Sequence, residues 1–555
     1  MENKADKRQG FTVAVSIKYR QILCCVTIFP TLNVMKLIAI SIILSFLVFP
    51  GFSQTELIIS NARILDGTGN SWYWGSIEVG GGKITRISKS RQVSTNAARM
   101  IDAKGLIVCP GFIDVHGHIE GGVFERPTAD NYIFDGVTSV VTGNCGGAAD
   151  DISEFFRKID STKTSINVAT LAGHNTIRRQ VMGQGNRQAT TEEMRQMEAL
   201  MAKAMQDGAV GMSTGLIYLP GMYANTEEIV NLAKVASSFG GVYATHMRNE
   251  GLKVTDAIDE ALTIGKQANI PVQISHFKVA GNASWNKSPM TLDMVKKARL
   301  EGYDVTIDQY PYTASSTNLA TQIPDWALEG GLDSLRERMK DKKTREAIKK
   351  DMKASKQNGK VKSYAYAVVA NYASDTTLNG MNIAQINKLK GRKANLVNEA
   401  ETILQMLEKG NAQMVFHSMN ETDVQYFVKY PFNMPAADGG VISGRGMPHP
   451  RGYGTNARFL AKYVREMNLV SIEEAVRRMT SLPAQKFGLK DRGLLREGMA
   501  ADILIMDENT VKDMATFDKP HQFSIGIPFV IVNGKVVVDD GKHTGERSGA
   551  ALRRR

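Results

Sequence analysis

Pro110-Gly111-Phe112-Ile113-Asp114-Val115-His116-Gly117-His118 is the stretch on which the reading of this chain turns. An apolar run entering from a proline and ending in His-Gly-His predicts a buried strand with two histidines at its end. Side chains at i and i+2 of a strand share a face about 6.6 Å apart along the chain, so two imidazoles placed in this way can converge on one ion. Gly117 leaves the opposite face open for close packing. On its own a His-x-His pair is as well explained by two satisfied histidines at a turn, and its weight comes from its surroundings.

Upstream lie short strand-like segments at 56–64, 75–79, 83–88 and 105–108, punctuated by Asp66-Gly67 and Gly80-Gly81-Gly82. A matching set returns near the far end, at 501–506, 529–532 and 535–539, with the hairpin signal Asn533-Gly534 between the last two. The expectation is one small β-sandwich domain assembled from both chain ends, residues 55–109 plus 490–548.

The interval 110–489 alternates strand and helix. Apolar or β-branched runs at 136–142, 166–172, 209–214, 241–247, 271–278 and 304–310 are separated by helix-like stretches such as 191–206, 226–239, 254–268 and 291–300. Thr190-Thr191-Glu192-Glu193 and Asn225-Thr226-Glu227-Glu228 have the form of helix starts with acidic first turns. With 111–118 first and 432–439 last, eight strands can be placed, which predicts an α/β fold of the (β/α)8 barrel type. A Lys-rich helical interval at about 325–430, with a strand-like 363–369, reads as an insertion between barrel units 7 and 8.

Further metal-binding side chains sit where strands end. Cys145 follows the second strand in Thr142-Gly143-Asn144-Cys145-Gly146-Gly147. His246 ends the fifth, in Ala244-Thr245-His246, and His276 closes the sixth, in Ile274-Ser275-His276-Phe277-Lys278. Asp438 lies near the end of the eighth, in Pro435-Ala436-Ala437-Asp438-Gly439. Barrel active sites are built at the C-terminal ends of strands. The chain has 9 histidines, and four of them take such positions. Thiolate, imidazole and carboxylate are the side chains that bind zinc.

These motifs, in this order and together with Ser213-Thr214-Gly215-Leu216 and His449-Pro450-Arg451, resemble the D-aminoacylase branch of the amidohydrolase superfamily over roughly residues 56–540. The resemblance implies a tight zinc on Cys145, His246 and His276. It implies a second, weaker metal position on His116, His118 and Asp438, which Cys145 can bridge where most two-metal relatives use a carboxylated lysine or a glutamate. It further implies hydrolysis of the amide bond of N-acyl-D-amino acids, with Asp438 relaying the proton. Lys278, Tyr310 and Arg451 would bind the substrate carboxylate, with Tyr312 a close competitor of Tyr310. D-selectivity comes from the resemblance alone. A dipeptidase acting on peptides with a C-terminal D-residue presents the same amide and carboxylate, whereas Cys145 in place of a lysine argues against cyclic-amide hydrolases. An exported binding protein with a dead barrel is opposed by the complete ligand set. His174 ends the third strand and is read equally well as site-lining or structural; His417, His449, His521 and His543 are read as structural.

The bulk properties set outer bounds. Apolar content of 43% and charged content of 22% over 555 residues describe an ordinary globular chain with a large core. The +12 net charge is dispersed apart from six Lys/Arg within residues 1–54 and a basic Arg553-Arg554-Arg555 end. No basic stripe interleaved with aromatics points to nucleic acid; the partner expected is a small-molecule substrate. Four cysteines, two of them Cys24 and Cys25 in the leader, are too few for a disulfide framework. Met35-Lys36, an apolar run from Leu37 to Phe49 and the small residues beyond it describe a secretory signal peptide at 35–53, with Met35 a candidate start. Export is expected, to the periplasm in a Gram-negative cell, with an uncleaved membrane anchor as the alternative.

Overall fold

The hairpin signal Asn533-Gly534 shows how local sequence builds the terminal sheet. Both residues adopt positive φ, 46° and 79°, the backbone of a type I′ turn, and Phe529–Val532 folds back on Lys535–Asp539. Phe529–Val532 pairs antiparallel with Ile503–Met506, which in turn pairs antiparallel with Ile107–Pro110. Through that contact the two ends of the chain share one continuous nine-stranded sheet, which also contains Leu57–Ile64, Tyr73–Gly80 and Lys83–Ser88. The computed structural model describes residues 55–554 apart from 92 and 94–96. The expected signal peptide, Cys24 and Cys25 lie outside the described residues. No helix among those described is long and apolar enough to cross a membrane.

Eight parallel strands follow. Phe112–Asp114, Val137–Thr142 and Asn167–Thr170 are paired in order. The third continues as Ala172–Gly173, which pairs with Gly211–Gly215. Val242–His246, Val272–Ile274, Val305–Gln309 and Asn433–Pro435 complete the series. A parallel bridge between Gly117 and Gly439 joins the eighth to the first, and the His118 N–H donates to the Gly439 carbonyl at 2.8 Å. Every residue of the eight is buried, as expected of parallel strands covered on both faces. The molecule is a TIM-type barrel carrying a terminal β domain.

The covering helices begin where their caps dictate. Thr190 and Glu193 form a reciprocal capping box at the start of Thr191–Gln206, and the Asn225 side chain accepts from Glu228 N–H at the start of Thr226–Ser238. Met197, Met201 and Met205 recur every four residues on the buried face of the first of these helices.

The late insertion has different limits from those expected. It opens with Ser315–Asn318, which pairs antiparallel with Gln413–Phe416, itself paired with Ala367–Asn371. A separate core of Leu335, Ile348, Ile403 and Met414 lies beneath this sheet. Glu421–Val428, placed inside the insertion by the sequence, buries Val424 and Phe427 in the barrel's own cores. Ser315-Ser316-Thr317-Asn318 has neither apolar alternation nor a turn signal to announce a strand. The described residues near the chain end are docked on the barrel: Leu552 N–H donates to Val168 O, and Arg553 pairs with Asp160 at 2.6 Å.

Candidate metal centre and substrate cavity

The six candidate ligands converge at the C-terminal mouth of the barrel. His116 Nε2 lies 3.3 Å from Cys145 Sγ, which lies 3.7 Å from His246 Nδ1 and 3.6 Å from His276 Nε2. Asp438 Oδ1 stands 3.1 Å from His118 Nε2 and 3.5 Å from His116 Nε2. Three overlapping sets, Cys145/His246/His276, His116/His118/Cys145 and His116/His276/Asp438, each hold their ligand atoms within 4.8 Å of one another. His116, Cys145 and His276 each belong to two of them.

Backbone conformation turns these side chains inward. Cys145, His276 and Asp438 adopt positive φ of 53°, 37° and 46°, a region that disfavours residues with a Cβ and is tolerated where surrounding structure holds it. The surrounding structure here is a set of carboxylates. Asp308 Oδ1 accepts from His116 Nδ1 at 3.2 Å and from the His276 N–H at 2.7 Å, while its Oδ2 accepts from Gln273 at 2.8 Å. Asp114 accepts from His116 N–H at 2.9 Å and Ala437 N–H at 2.8 Å, tying the first strand to the eighth. With its Nδ1 proton given to Asp308, His116 turns a free Nε2 lone pair to the centre. Glu250 does the same for His276, at 2.8 Å from Nδ1.

The electrostatics call for a cation. Burial holds His116 and His246 below the usual imidazole range, and so in the neutral, ligating form. Burial, reinforced by the Asp438 and Asp308 carboxylates, pushes the Cys145 thiol well above its ordinary value. A thiolate forms there only when positive charge arrives to stabilise it. For Asp438, burial acts upward but is outweighed by the Arg451 guanidinium, then by His116 and His118, which hold the carboxyl well below the usual range. Sulfur, imidazole and carboxylate donors in this arrangement fit zinc.

A cavity of about 450 Å³ opens onto Cys145, His118 and Asp438. Arg451 lines it, with Nη2 2.9 Å from Asp438 Oδ2 and 3.2 Å from the Ser316 carbonyl. The guanidinium carbon sits 4.4 Å from the centre of the Tyr310 ring. Both the Tyr310 hydroxyl and Arg451 Nη1 are buried without a partner among the described residues; Arg451 lines the cavity, whereas Tyr310, 1% exposed, lies outside the lining. Lys278 departs from expectation. It is 2% exposed, does not line the cavity and gives its charge to Glu250 at 2.6 Å, with Nζ 2.8 Å from His276 Nδ1. Two residues along a strand end from His276, its side chain runs behind that ligand and not into the opening. Tyr312 packs against His449 and Arg458, away from the opening.

Several contributors escaped the sequence reading. His449 lines the cavity, accepts the Arg451 N–H at 3.0 Å on Nδ1 and donates from Nε2 to Ala314 O at 2.9 Å, so it positions the arginine. Asp308 and Glu250 act at one remove from the metal site, and the insertion supplies Ser316, Thr317, Asn318 and Gln413 to the cavity wall. The motif His449-Pro450-Arg451 was the available signal for the first; a buried carboxylate one layer behind a ligand leaves no local pattern. His174 is structural, buried against Glu228 at 2.8 Å.

A closed parallel barrel with mixed sulfur, imidazole and carboxylate donors at its mouth defines a metallohydrolase architecture, and residues 99–538 match the amidohydrolase family Amidohydro_3; the chain belongs to that family. It is 34% identical to an N-acyl-D-glutamate deacylase of Alcaligenes xylosoxydans xylosoxydans, over 90% of this chain and 97% of the relative. Its fold is similar to that of a D-aminoacylase studied for its binuclear metal center, with a TM-score of 0.77 and 31% identity over 90% of this chain and 100% of that one. It is also similar to an N-acyl-D-glutamate deacylase of Bordetella bronchiseptica complexed with zinc and a phosphonate inhibitor, with a TM-score of 0.76, 31% identity and the same coverage.

Proposed function

We propose that this chain is a zinc-dependent N-acyl-D-amino-acid deacylase, hydrolysing a linear amide to a carboxylate and a free D-amino acid. The observation that carries this reading is the convergence of Cys145, His246 and His276 within one ion's reach, beside an ionised Asp438 and a cavity-lining Arg451. Cys145, His246 and His276 would hold the tight zinc; His116, His118 and Asp438 would hold a second, weaker one. Zinc so held supplies Lewis acidity, which activates water at neutral pH and polarises the amide carbonyl.

The chain's own residues supply the rest. Asp438 accepts the proton of the attacking water and returns it to the departing nitrogen; the pairs with His118 and Arg451 keep it ionised and aimed. Arg451, packed on the Tyr310 ring and oriented by His449, takes the substrate carboxylate through its unpartnered Nη1. Lys278 acts through Glu250 and His276. Amide, carboxylate and side chain then fix three points, which is the minimum for distinguishing hands.

The test is release of acetate from N-acetyl-D-methionine and N-acetyl-L-methionine, with zinc content measured on the same preparation. Turnover of the D-isomer tracking bound zinc is expected; L-selective or zinc-indifferent turnover would defeat the reading. The composition of residues 35–53 supports export, to the periplasm in a Gram-negative cell. N-terminal sequencing of the protein from fractionated cells should find a start near Ser53–Gln54, and an intact leader on a cytosolic protein would refute it.

A further inference from the structure

We infer that this chain acts on D-amino acids with uncharged side chains, unlike the D-glutamate deacylases it resembles, an inference that rests on the function proposed above. The cavity holds too few positive charges to serve a second carboxylate. Among the described residues that line it, Arg451 is the single Lys or Arg. Its Nη2 is already shared between Asp438 and the Ser316 carbonyl, and its unpartnered Nη1 is needed by the substrate's α-carboxylate. Lys278 cannot serve a second carboxylate, because Glu250 neutralises it behind His276. Arg445, the nearest arginine in the loop before Arg451, is exposed and outside the lining. His118 is tied to Asp438. With the tight zinc alone bound, Cys145 as thiolate and the nearby Asp438 would match its two charges.

The rest of the lining is uncharged: Tyr218, Thr317, Asn318, Gln413, Ile442 and Pro448. The Tyr218 hydroxyl and Thr317 Oγ1 satisfy one another at 2.9 Å, and Gln413 donates to Ser316 Oγ at 3.0 Å. The Asn318 carboxamide makes no hydrogen bond to another described residue, so it is the wall's uncommitted polar group. A side-chain carboxylate entering here would meet no unclaimed cation and would share the cavity with Asp438. An amide or thioether of the same size meets no such penalty.

N-acetyl-D-glutamine and N-acetyl-D-glutamate differ at one atom and in one charge. With the zinc-loaded full chain, kcat/KM for the glutamine and methionine derivatives is expected to exceed that for glutamate by at least about 100-fold, a gap of two factors of ten from one unpaired charge. Equal or greater activity on N-acetyl-D-glutamate or N-acetyl-D-aspartate would overturn the inference while leaving the deacylase reading intact. Turnover of none of these compounds would overturn both. N318R should raise the glutamate rate at least tenfold. A variant that retains its zinc and its D-glutamine activity but gains nothing on D-glutamate would count against the charge argument.

Discussion

The two walls of the cavity are built on opposite plans. On the barrel side each candidate ligand emerges from a strand end, three of them from left-handed backbone, and carboxylates behind them fix the ring orientations. On the insertion side a short polar strand, Ser315–Asn318, presents hydroxyls and amides paired mainly with one another. One wall concentrates charge and constraint; the other offers a neutral surface with an amide to spare. Chemistry should therefore be intolerant of change on the first wall, and preference should be adjustable on the second.

The sharpest way to break this contrast is D438N. Loss of the proton relay should lower kcat by about 10³-fold, with zinc content unchanged because Cys145, His246 and His276 remain. A kcat within tenfold of the parent would remove Asp438 from the chemistry. Next comes R451M, for which the lost charge-assisted contact should raise KM by about 10- to 100-fold. The guanidinium is the leading influence holding Asp438 ionised against burial. Without it the carboxyl's pKa rises, so the acid limb of the kcat profile should move to higher pH. An unmoved limb would show that the pair does not govern the base.

D308N probes the support layer. Weakening the carboxylate that orients His116 and the His276 backbone should cost about 10- to 100-fold in metal affinity, measured by chelator competition, with kcat recovering at saturating zinc. Unchanged affinity would demote Asp308 to a structural residue. T317V should have the smallest effect. It removes one neutral hydrogen bond to Tyr218, so kcat/KM should fall by no more than about tenfold. A hundredfold loss would mean the insertion wall takes part in the chemistry, and the contrast would be false.

The same contrast marks where sequence reading works. The six candidate ligands lie at the ends of apolar strands, and strand ends are visible as pattern. Helices Thr191–Gln206 and Thr226–Ser238 carry both periodicity and legible capped starts, and both begin where expected. Asp308 and Glu250 were illegible because their roles depend on partners, His116 and Lys278, 192 and 28 residues away in the chain. The direction of Lys278 was misjudged for the same reason: spacing places it near the site, but only packing shows that it points behind His276. Ser315–Asn318 was missed because a strand that presents polar groups to a cavity shows none of the alternation that half-burial against a core imposes.

The pairing of Ile107–Pro110 with Ile503–Met506 has a consequence for biosynthesis. The segment leading into His116 and His118 has no partner on that edge until the last tenth of the chain has been made. At about 5–20 residues per second, the interval is roughly 20–80 s. The support behind His116 and His118 is therefore completed late in synthesis, and a chain truncated before Ile503 should hold metal at those histidines less tightly.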